Sequence, residues 1–381
     1  MFPQPTCEAS GLGHGQTLAP TDARRGGDLL MDKERVKAFM EKVFGDMAGA
    51  MTAGLGFVGV KTGLFRAMAG RGPLTVDDVV RLTNLQSRYT EEWLKGMVCA
   101  GYLEYEPRAA TYRFPDEHAF LLASDDTDHF MGGLFCMAPV LLRVAPRVAL
   151  AFEQGGGVPF ADYGADGIEA LDMLNRGQYE QRFATHWLKS LPEIVQRLEA
   201  GGRIVDVGCG VGRVALTLAK AFPQVSVIGL DADRESIAQA THAATIEGLS
   251  GRVRFIAGSP GDLAAEGGFD LITACDCVHD FAAPVDTLKA MRDLLTPDGV
   301  LFVVEPKAAD RLEDNCNSIG TMYYGFSVFH CMTQSLAHGG PGLGTCLGPA
   351  RARALMREAG FSSFNILDIK SQVLAFYAVR P

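Results

Sequence analysis

Residues 203–222 read RIVDVGCGVGRVALTLAKAF, and this stretch decides the fold. A short run of β-branched residues passes into three glycines, Gly208, Gly210 and Gly212, and a helical pattern follows at once. Glycines between a strand and a helix let the backbone approach a ligand closely, and the helix N-terminus behind them favours a negative group. The segment therefore predicts the first strand, turn and helix of a ligand-binding α/β domain.

Strand-like and helical patterns alternate from this stretch to the end of the chain. The strand-like runs are RIVDV, VSVIGL, RVRFIA, FDLITA, VLFVVE, FNILDI and LAFYAV. Alternation of this kind is typical of a parallel sheet with helices on both faces. The last two runs lie only a few residues apart, which favours an antiparallel hairpin at one edge. Residues 201–381 are thus predicted to form a Rossmann-like, doubly wound, mostly parallel seven-stranded sheet.

The first half of the chain is predicted to be α-rich. Apolar residues recur at helical spacing from Asp32 to about Ala69, two further helical patterns follow, and YLEYEP and TYRFPD flank a short turn. Helices followed by a hairpin indicate a winged-helix domain over 31–125, and the mostly helical 126–200 is a connector. Residues 1–30 show no periodicity and are interpreted as a disordered tail, so that Met31 is a candidate biological start.

Composition excludes some classes of protein. The 381 residues carry a net charge of -10, which does not favour a nucleic acid or an anionic membrane as partner. No uninterrupted apolar run reaches the roughly 18 residues of a membrane span. Nine cysteines without CxxC spacing are typical of reduced thiols, so we expect a cytoplasmic protein.

The winged helix raises the question of DNA binding. Between Asp32 and Asp125 there are 12 Lys/Arg and 13 Asp/Glu. The helix that would read DNA sets Glu91 and Glu92 against Arg88 and Lys95. Since a DNA reader needs a positive face, the pattern favours a dimerisation and lid domain instead.

Two acids near the glycine turn indicate the ligand. Asp206 lies two residues before the turn, where a pyrophosphate would be repelled but a cation would be held. Asp231 ends the second strand in VIGLDAD, at the usual distance for an acid that binds ribose hydroxyls. A glycine turn for a carboxylate, an acid for a cation and an acid for a ribose predict S-adenosylmethionine. A nicotinamide dinucleotide is the less favoured alternative because of Asp206.

Four motifs, IVDVGCGVGR, GLDAD, FDLITACDCVHDF and LTPDGVLFVVEP, resemble those of class I S-adenosylmethionine-dependent methyltransferases. More closely, the chain is similar over about 31–381 to a bacterial and mycobacterial group with an N-terminal winged helix, and to plant-type small-molecule O-methyltransferases. The resemblance implies a small-molecule methyl acceptor, S-adenosylhomocysteine as product and a homodimer.

The resemblance and the residues together define a cofactor set. Ser259 stands where an acid near the adenine is common in the family. The predicted cofactor-binding residues are Asp206, Gly208, Cys209, Gly210, Gly212, Asp231, Ala232, Ser259, Asp276 and Cys277.

The stretch CDCVHDF, residues 275–281, packs thiols, carboxylates and an imidazole together. Cys275, Cys277 and His279 alternate, but zinc wants four ligands and no second pair of thiols matches, so no metal site is predicted. The strand's carboxyl end is where ligands bind in open α/β sheets. His279 resembles the family's general base, with Asp280 or Glu305 as its orienting carboxylate; the alternative is that His279 only shapes the pocket.

Two segments are predicted to wall the substrate pocket. The candidate substrate-binding residues are Asn175 and Tyr179 before the sheet, and Met322, Tyr323 and Phe329 after the fifth strand. The sequence thus predicts methylation of a small molecule, foremost at oxygen. The alternatives are S- or N-methylation of a small metabolite, including an anionic one, and a transcription regulator that senses S-adenosylmethionine.

Overall fold

The computed structural model describes residues 31–381. The predicted tail over 1–30 lies outside the described residues. The helices are α1 (Lys33–Lys61), α2 (Leu64–Met68), α3 (Val76–Thr83), α4 (Ser87–Cys99), α5 (Asp116–Leu122), α6 (Gly132–Arg143), α7 (Ala145–Gln154), α8 (Gly164–Arg182), α9 (Pro192–Glu199), α10 (Arg213–Ala221), α11 (Arg234–Ile246), α12 (Pro284–Leu294), α13 (Ser318–Phe326), α14 (Met332–Ala337) and α15 (Pro349–Glu358). The strands are β1 (Glu104–Glu106), β2 (Thr111–Arg113), β3 (Arg203–Val207), β4 (Ser226–Asp231), β5 (Val253–Ala257), β6 (Phe269–Cys275), β7 (Leu295–Pro306), β8 (Ser363–Ile366) and β9 (Leu374–Arg380).

The long helix α1 begins in one compact unit, which ends at Met47, and continues into a second, residues 48–381. Its apolar side chains in the first unit are exposed, among them Phe39 and Phe44 at 66% and 67%. One 18-residue window of α1 has a mean hydropathy of 1.4 and is 17% buried, so by length and composition the helix is able to cross a membrane. A sequence search for an uninterrupted apolar run misses this window because every 18-residue window of α1 contains the charged Asp46.

Helices α2 to α4 and the β1–β2 hairpin form the predicted winged helix. Thr75 caps α3 in a reciprocal capping box with Asp78, as S/T-x-x-D spacing favours. Trp93, Leu94 and Met97 of α4 are buried in its core. The same apolar cluster includes buried residues of α6 and α7, so the connector packs on the winged helix as one core.

The second sheet has seven strands in the order β5-β4-β3-β6-β7-β9-β8. The five strands from β5 to β7 pair in parallel, and β9 pairs antiparallel with both β7 and β8. The predicted Rossmann-like fold and the predicted edge hairpin are confirmed. Two apolar clusters cover the faces of the sheet, so its central strands are buried on both sides.

The order of the strands fixes the position of the site. Because β3 lies between β4 and β6, the carboxyl ends of these three strands meet at one edge, with that of β7 beside them. That edge carries Gly208, Asp231, Asp276 and Glu305. Ligands of open α/β sheets bind outside such an edge.

Candidate active site

The glycine turn after β3 is shaped to face a ligand. Gly208 has φ +68°, and a Cβ placed there would lie 2.7 Å from the Cβ of Cys277, so this position excludes any side chain. Gly210 has φ +50° with open space before it, and its amide donates to Asp231 Oδ2 at 2.8 Å. Backbone N–H groups and an open face form a cradle that a small ligand can fill.

Asp206, expected to face a cation, is held by the protein itself. Its Oδ1 accepts the hydroxyl of Thr273 at 2.6 Å and its Oδ2 accepts the amide of Ala215 at 3.2 Å. The side chain is 1% exposed, and burial raises the pKa of its carboxyl to about 7. Asp206 therefore anchors the turn to β6 and α10. Its contact with the cofactor stays a prediction.

Asp231 fastens the turn to the end of β4. Its Oδ1 accepts the amide of Asp233 at 2.9 Å, two residues beyond, so the loop holding Ala232 is fixed around it. Burial raises the pKa of Asp231. At the next strand end, Ser259 forms a capping box with Asp262, whose Oδ2 accepts the Ser259 amide at 2.7 Å. The hydroxyl of Ser259 is thus used in a hydrogen bond within its own turn.

The residue that follows β6 has a strained backbone. Asp276 has φ +55°, a left-handed conformation that is uncommon for a residue with a side chain. Its amide donates to Val304 O at 2.7 Å, and Asn175 of α8 lies beside its carboxylate. Burial raises the pKa of Asp276. The next residue, Cys277, donates its thiol to Val207 O at 3.3 Å and closes the gap to the glycine turn.

His279 lies between two carboxylates. Its Nδ1 is 2.5 Å from Glu305 Oε2, and its Nε2 is 3.4 Å from Asp280 Oδ1. The backbone amide of Val278 holds the other oxygen of Glu305 at 3.0 Å. His279 and Glu305 are 1% and 2% exposed. With a proton on Nδ1 shared with Glu305, Nε2 is the nitrogen left to accept a proton.

Opposed effects set the protonation of this group. Burial lowers the pKa of His279, but the charges of Glu305 and Asp280 offset it, and the net pKa lies well above the usual value. Burial raises the pKa of Asp280 to about 6. The sequence places these three residues near one another, and the structure brings them into contact.

A second set of residues reaches the site from a distant segment. The π-helical turn Ser327–Cys331 buries His330 and Cys331 beside Asp280. Gln334 bridges the two parts, with its Nε2 3.2 Å from Asp280 Oδ2 and 2.9 Å from His330 Nδ1. The sequence predicted that this segment walls the pocket, through Met322, Tyr323 and Phe329, but it did not single out His330, Cys331 or Gln334. A π turn, which often marks functional sites, has no plain sequence signature.

These residues also form a possible cation site that the sequence did not predict. Ligand atoms of His279, Asp280 and Cys331 all lie within 4.8 Å of one another. A buried polar atom here, His330 Nε2, has no hydrogen-bond partner among the residues that the structure describes, whereas Asp280 Oδ1 has only the ion-pair contact with His279 Nε2 at 3.4 Å. Burial, followed by the charge of His279, lowers the pKa of His330 to about 4, so that ring is neutral. Polar atoms left unsatisfied in this way indicate a place for a ligand.

The predicted pocket walls divide into two groups. Asn175 and Tyr179 of α8 lie at the site. Asn175 lies beside Asp276, and burial, followed by the nearby Cys275 and Asp276, raises the pKa of the Tyr179 hydroxyl well above its usual value. Tyr323 is buried near Asp276, and its hydroxyl donates to Val373 O. Phe329 packs against the winged-helix core, and the role of Met322 in the pocket stays a prediction.

Arg213, the first residue of α10, forms a network that the sequence did not single out. Its Nε is 2.6 Å from Asp172 Oδ1 and its Nη1 is 3.0 Å from Glu180 Oε1, both on α8. The same Asp172 lies 3.6 Å from Nε of Arg176. The network fixes α8 against the glycine turn and thereby positions Asn175 and Tyr179.

The site fits S-adenosylmethionine by its donor set. Gly208 and Gly210 leave the backbone of the turn accessible, and Asp231 ends the neighbouring strand. Asp276 and Asn175 supply polar groups between the turn and His279. A charged amino acid group, a ribose and a sulfonium each find a matching partner along this edge.

Comparison with known proteins gives two family matches. Residues 198–360 match the family described as Methyltransferase domain, and residues 50–124 match the Rv2258c-like winged HTH domain. Both agree with the predicted order of a winged helix before a methyltransferase fold. Each match covers less than half of the chain.

A curated relative and two solved structures resemble the chain. The ubiquinone biosynthesis O-methyltransferase of Xanthomonas euvesicatoria pv. vesicatoria is 33% identical over 116 residues, 30% of this chain and 47% of the relative. The chain therefore matches about half the length of that relative. The structure of human N-acetylserotonin methyltransferase with S-adenosylmethionine has a TM-score of 0.64 and 19% identity, over 90% of this chain and 97% of that one.

The second structure is an O-methyltransferase from neocarzinostatin biosynthesis, in complex with S-adenosylmethionine and 2-hydroxy-5-methyl naphthoic acid. Its TM-score is 0.59 with 19% identity, over 88% of this chain and 96% of that one. At these identities the likeness shows the fold, and it extends over the winged helix as well as the sheet.

Proposed function

We propose that this chain, whose residues 198–360 belong to the Methyltransferase domain family behind an Rv2258c-like winged HTH domain, is an S-adenosylmethionine-dependent O-methyltransferase with a small-molecule acceptor. One observation carries the proposal: His279 and Glu305 form a buried pair, with Nδ1 2.5 Å from Oε2, at the carboxyl ends of β6 and β7 beside the glycine turn. A base at that position can take a proton from an acceptor hydroxyl held near the cofactor.

The glycine turn, Asp231 and the Asp276–Asn175 pair are the residues that hold the cofactor in this account. When bound, S-adenosylmethionine supplies a methyl group on a sulfonium, which a nucleophilic oxygen displaces to leave S-adenosylhomocysteine. That the two structural neighbours contain S-adenosylmethionine supports the choice of cofactor. The short links between Gly210, Asp231 and Asp233 hold the cradle rigid, which favours alignment of the reacting groups.

His279 acts as the general base. The raised pKa of His279 moves its neutral form to more alkaline pH; in that form Glu305 accepts the proton of Nδ1 and Nε2 presents a lone pair. The carboxylate then stabilises the imidazolium that forms as the hydroxyl loses its proton. A hydroxyl is a weak nucleophile until it is deprotonated, and such proton transfer contributes about 10²- to 10⁴-fold to rate. Sulfur or nitrogen acceptors, which need a base less, are the alternatives.

The balance of charge on α4 supports an enzyme over a DNA-binding regulator. Arg88 pairs with Glu92, and Lys95 Nζ lies 2.5 Å from Glu91 Oε1. The basic residues of this helix are thus neutralised by its own acids. A protein that reads DNA requires free cations to displace the counterions of phosphate.

The exposed apolar face of α1 supports a homodimer. Its exposed members from both halves of the helix are Val36, Phe39, Met40, Val43, Phe44, Met47, Met51 and Val58. A patch of this kind marks a protein or membrane contact. We assign this patch to contact with a second copy of the chain in the cytoplasm, and not with a membrane, because charged residues interrupt its first half. These residues are Lys33, Lys37, Glu41, Lys42 and Asp46.

The experiment is to incubate the full chain with methyl-deuterated S-adenosylmethionine and a small-molecule extract of the source cells. Mass spectrometry should find one or more compounds carrying the heavy methyl group on oxygen. A product labelled on sulfur or nitrogen would replace O-methylation by the alternative chemistry. Binding of S-adenosylhomocysteine without any labelled product, together with salt-sensitive binding to specific DNA, would support the regulator instead.

A further inference from the structure

We propose that His330 binds the acceptor, with its Nε2–H group donating a hydrogen bond to a carbonyl oxygen of that molecule. The substrate class is then a small neutral compound that carries a carbonyl group as well as the hydroxyl to be methylated. This inference rests on the proposed function and narrows it, because the fold alone leaves the chemistry of the acceptor open.

A continuous set of contacts places His330 beside the proposed base. The Nε2 of Gln334 donates to His330 Nδ1 at 2.9 Å and to Asp280 Oδ2 at 3.2 Å. The other oxygen of Asp280 lies 3.4 Å from His279 Nε2, the nitrogen that accepts the proton in the proposed reaction. An acceptor whose hydroxyl lies at His279 is therefore close to the ring of His330.

The contacts of Gln334 determine which nitrogen of His330 carries a proton. A carboxylate can only accept, so the atom of Gln334 that faces Asp280 Oδ2 is the nitrogen of its NH₂ group. The second hydrogen of that group then points to His330 Nδ1, which accepts it. Cys331 Sγ lies 3.8 Å from the same nitrogen, and a thiol is able to donate there as well. The proton of the neutral ring is therefore on Nε2.

This Nε2–H group has no partner. The side chain of His330 is 5% exposed, and its Nε2 is buried without a hydrogen bond to any residue that the structure describes. A buried donor left unpaired destabilises a protein, so it indicates a place where another group binds. The group that fits is an oxygen with a free lone pair, and a carbonyl oxygen offers one without a proton of its own.

A second unpaired polar atom lies in the loop 340–348, which contacts both the base and the π turn. The amide of Gly344 donates to His279 O at 3.3 Å, and a Cβ placed on Gly344 would collide with Ser327 Oγ. The next residue, Thr345, is buried, and its Oγ1 has no hydrogen-bond partner within 31–381. Unpaired groups on two segments that meet beside the base are typical of a ligand site with a few convergent polar groups.

Aromatic rings hold the ring of His330 in place. The ring centroids of Tyr163 and Phe160 lie 4.8 Å and 6.0 Å from that of His330. The hydroxyl of Tyr163 donates to Phe329 O at 2.5 Å, so its proton is already used. Aromatic walls with one polar donor suit a planar acceptor.

The nearby charges favour a neutral carbonyl over a carboxylate. Only the amide of Gln334 separates His330 from Asp280, and Glu305 Oε2 lies 2.5 Å from His279 Nδ1. These acids would repel an anionic oxygen but not a neutral one. An ammonium group is not the partner of Nε2 either, because that nitrogen offers a proton and no lone pair.

The test is binding to the full chain saturated with S-adenosylhomocysteine, measured by calorimetry and ligand-detected NMR. The probes are the ortho, meta and para isomers of hydroxyacetophenone, of ethylphenol and of hydroxybenzoate, with hydroxytetralones and tetrahydronaphthols as a larger pair. Each ketone differs from its alkyl counterpart only in the carbonyl oxygen. We expect the ketone to bind at least about tenfold more tightly than that counterpart in at least one set.

Variants of His330 separate a ligand contact from a structural role. His330→Phe keeps an aromatic ring and removes the donor, so it should abolish the preference for the ketone while the ethylphenols bind as before. His330→Gln supplies an NH₂ group and should keep part of the preference. The matched control is the exposed His338→Phe at the end of α14, which should keep all of it. Binding of S-adenosylhomocysteine reports that each variant is folded.

The wild-type protein gives a second readout that needs no variant to fold. In the full chain with ¹⁵N-labelled histidine, NMR should show a neutral His330 ring with its proton on Nε2. Burial, followed by the charge of His279, lowers the pKa of His330 to about 4, so this form should persist across the neutral range. The Nε2 proton should shift downfield when the ketone binds.

Equal binding of ketones and alkylphenols, tighter binding of the acids, or a preference that persists in His330→Phe overturns the proposal. An Nε2 proton that does not respond to any ketone also overturns it and assigns that nitrogen to a buried water. The proposed function is tested separately. An O-methylated product without a carbonyl group retains the transferase and removes this inference, while ketone binding at His330 without methyl transfer does the reverse.

Discussion

Replacing Glu305 by glutamine probes the pair that carries the proposed chemistry. The carboxylate accepts from Val278 N at 3.0 Å and lies 2.5 Å from His279 Nδ1. If the amide oxygen of Glu305→Gln keeps the bond to Val278, its NH₂ group faces Nδ1. The ring must then accept at Nδ1 and carry its proton on Nε2, which is the wrong tautomer for a base.

The magnitude follows from the bond that is lost. A hydrogen bond to a charged group contributes about 1.5–3 kcal/mol, equivalent to about 10- to 150-fold in rate. The tautomer with its proton on Nε2 lowers the rate further, up to the roughly 10⁴-fold that a general base supplies. We therefore expect kcat/KM to fall at least about tenfold.

The pH dependence gives a second readout. Because the charge of Glu305 raises the pKa of His279, its removal should move the rise of kcat/KM to lower pH, although the plateau is lower. The assay is methyl transfer across the neutral and alkaline range, with the exposed Glu313→Gln as control. A variant that keeps the wild-type plateau, or rises at the wild-type pH, would refute the assignment of His279 as a base held by Glu305.

Three further predictions address the cradle, its anchor and the proposed dimer. Gly208→Ala should weaken S-adenosylhomocysteine binding at least about tenfold in calorimetry, since it adds backbone strain of roughly 1–2 kcal/mol and a clash with Cys277. The matched control is Gly248→Ala, which should bind normally, because Gly248 has φ +69° but open space around it. Burial raises the pKa of Asp206 to about 7, above the unfolded value of about 3.9, so its contribution to stability is complete below about pH 3.9 and is lost as pH rises to about 7. The free energy of unfolding of Asp206→Asn, measured in urea, should therefore gain about 2–4 kcal/mol relative to that of the wild type between about pH 4 and about pH 7. A difference between the two proteins that stays constant with pH would contradict this. Phe44→Glu should convert a dimer to a monomer in light scattering, whereas recovery of the wild type with membranes would assign α1 to a bilayer.

Features that depend on local patterns were predictable from the sequence. The glycine turn, the strand runs and the Thr75 cap each follow from residues a few positions apart. Short-range periodicity decides such elements, and the order of parallel strands then places their carboxyl ends together. His279 and Glu305 come from adjacent strands in this order, so their contact could be anticipated.

Features that depend on distant packing were not predictable. The π turn brings His330 and Cys331 to Asp280 from the segment after β7, and no local spacing encodes that approach. The left-handed backbone of Asp276 arises from its position between β6 and Val304, whereas sequence patterns favour glycine for such angles.

The central claim is that His279 removes a proton during methyl transfer to oxygen. The most direct measurement is the single-turnover rate on the acceptor found by methyl labelling, comparing wild type with His279→Gln and with the exposed His242→Gln. We predict a loss of about 10²- to 10⁴-fold for His279→Gln with S-adenosylhomocysteine binding unchanged, and a wild-type rate for His242→Gln. A His279→Gln variant that transfers the methyl group at the wild-type rate would contradict the account.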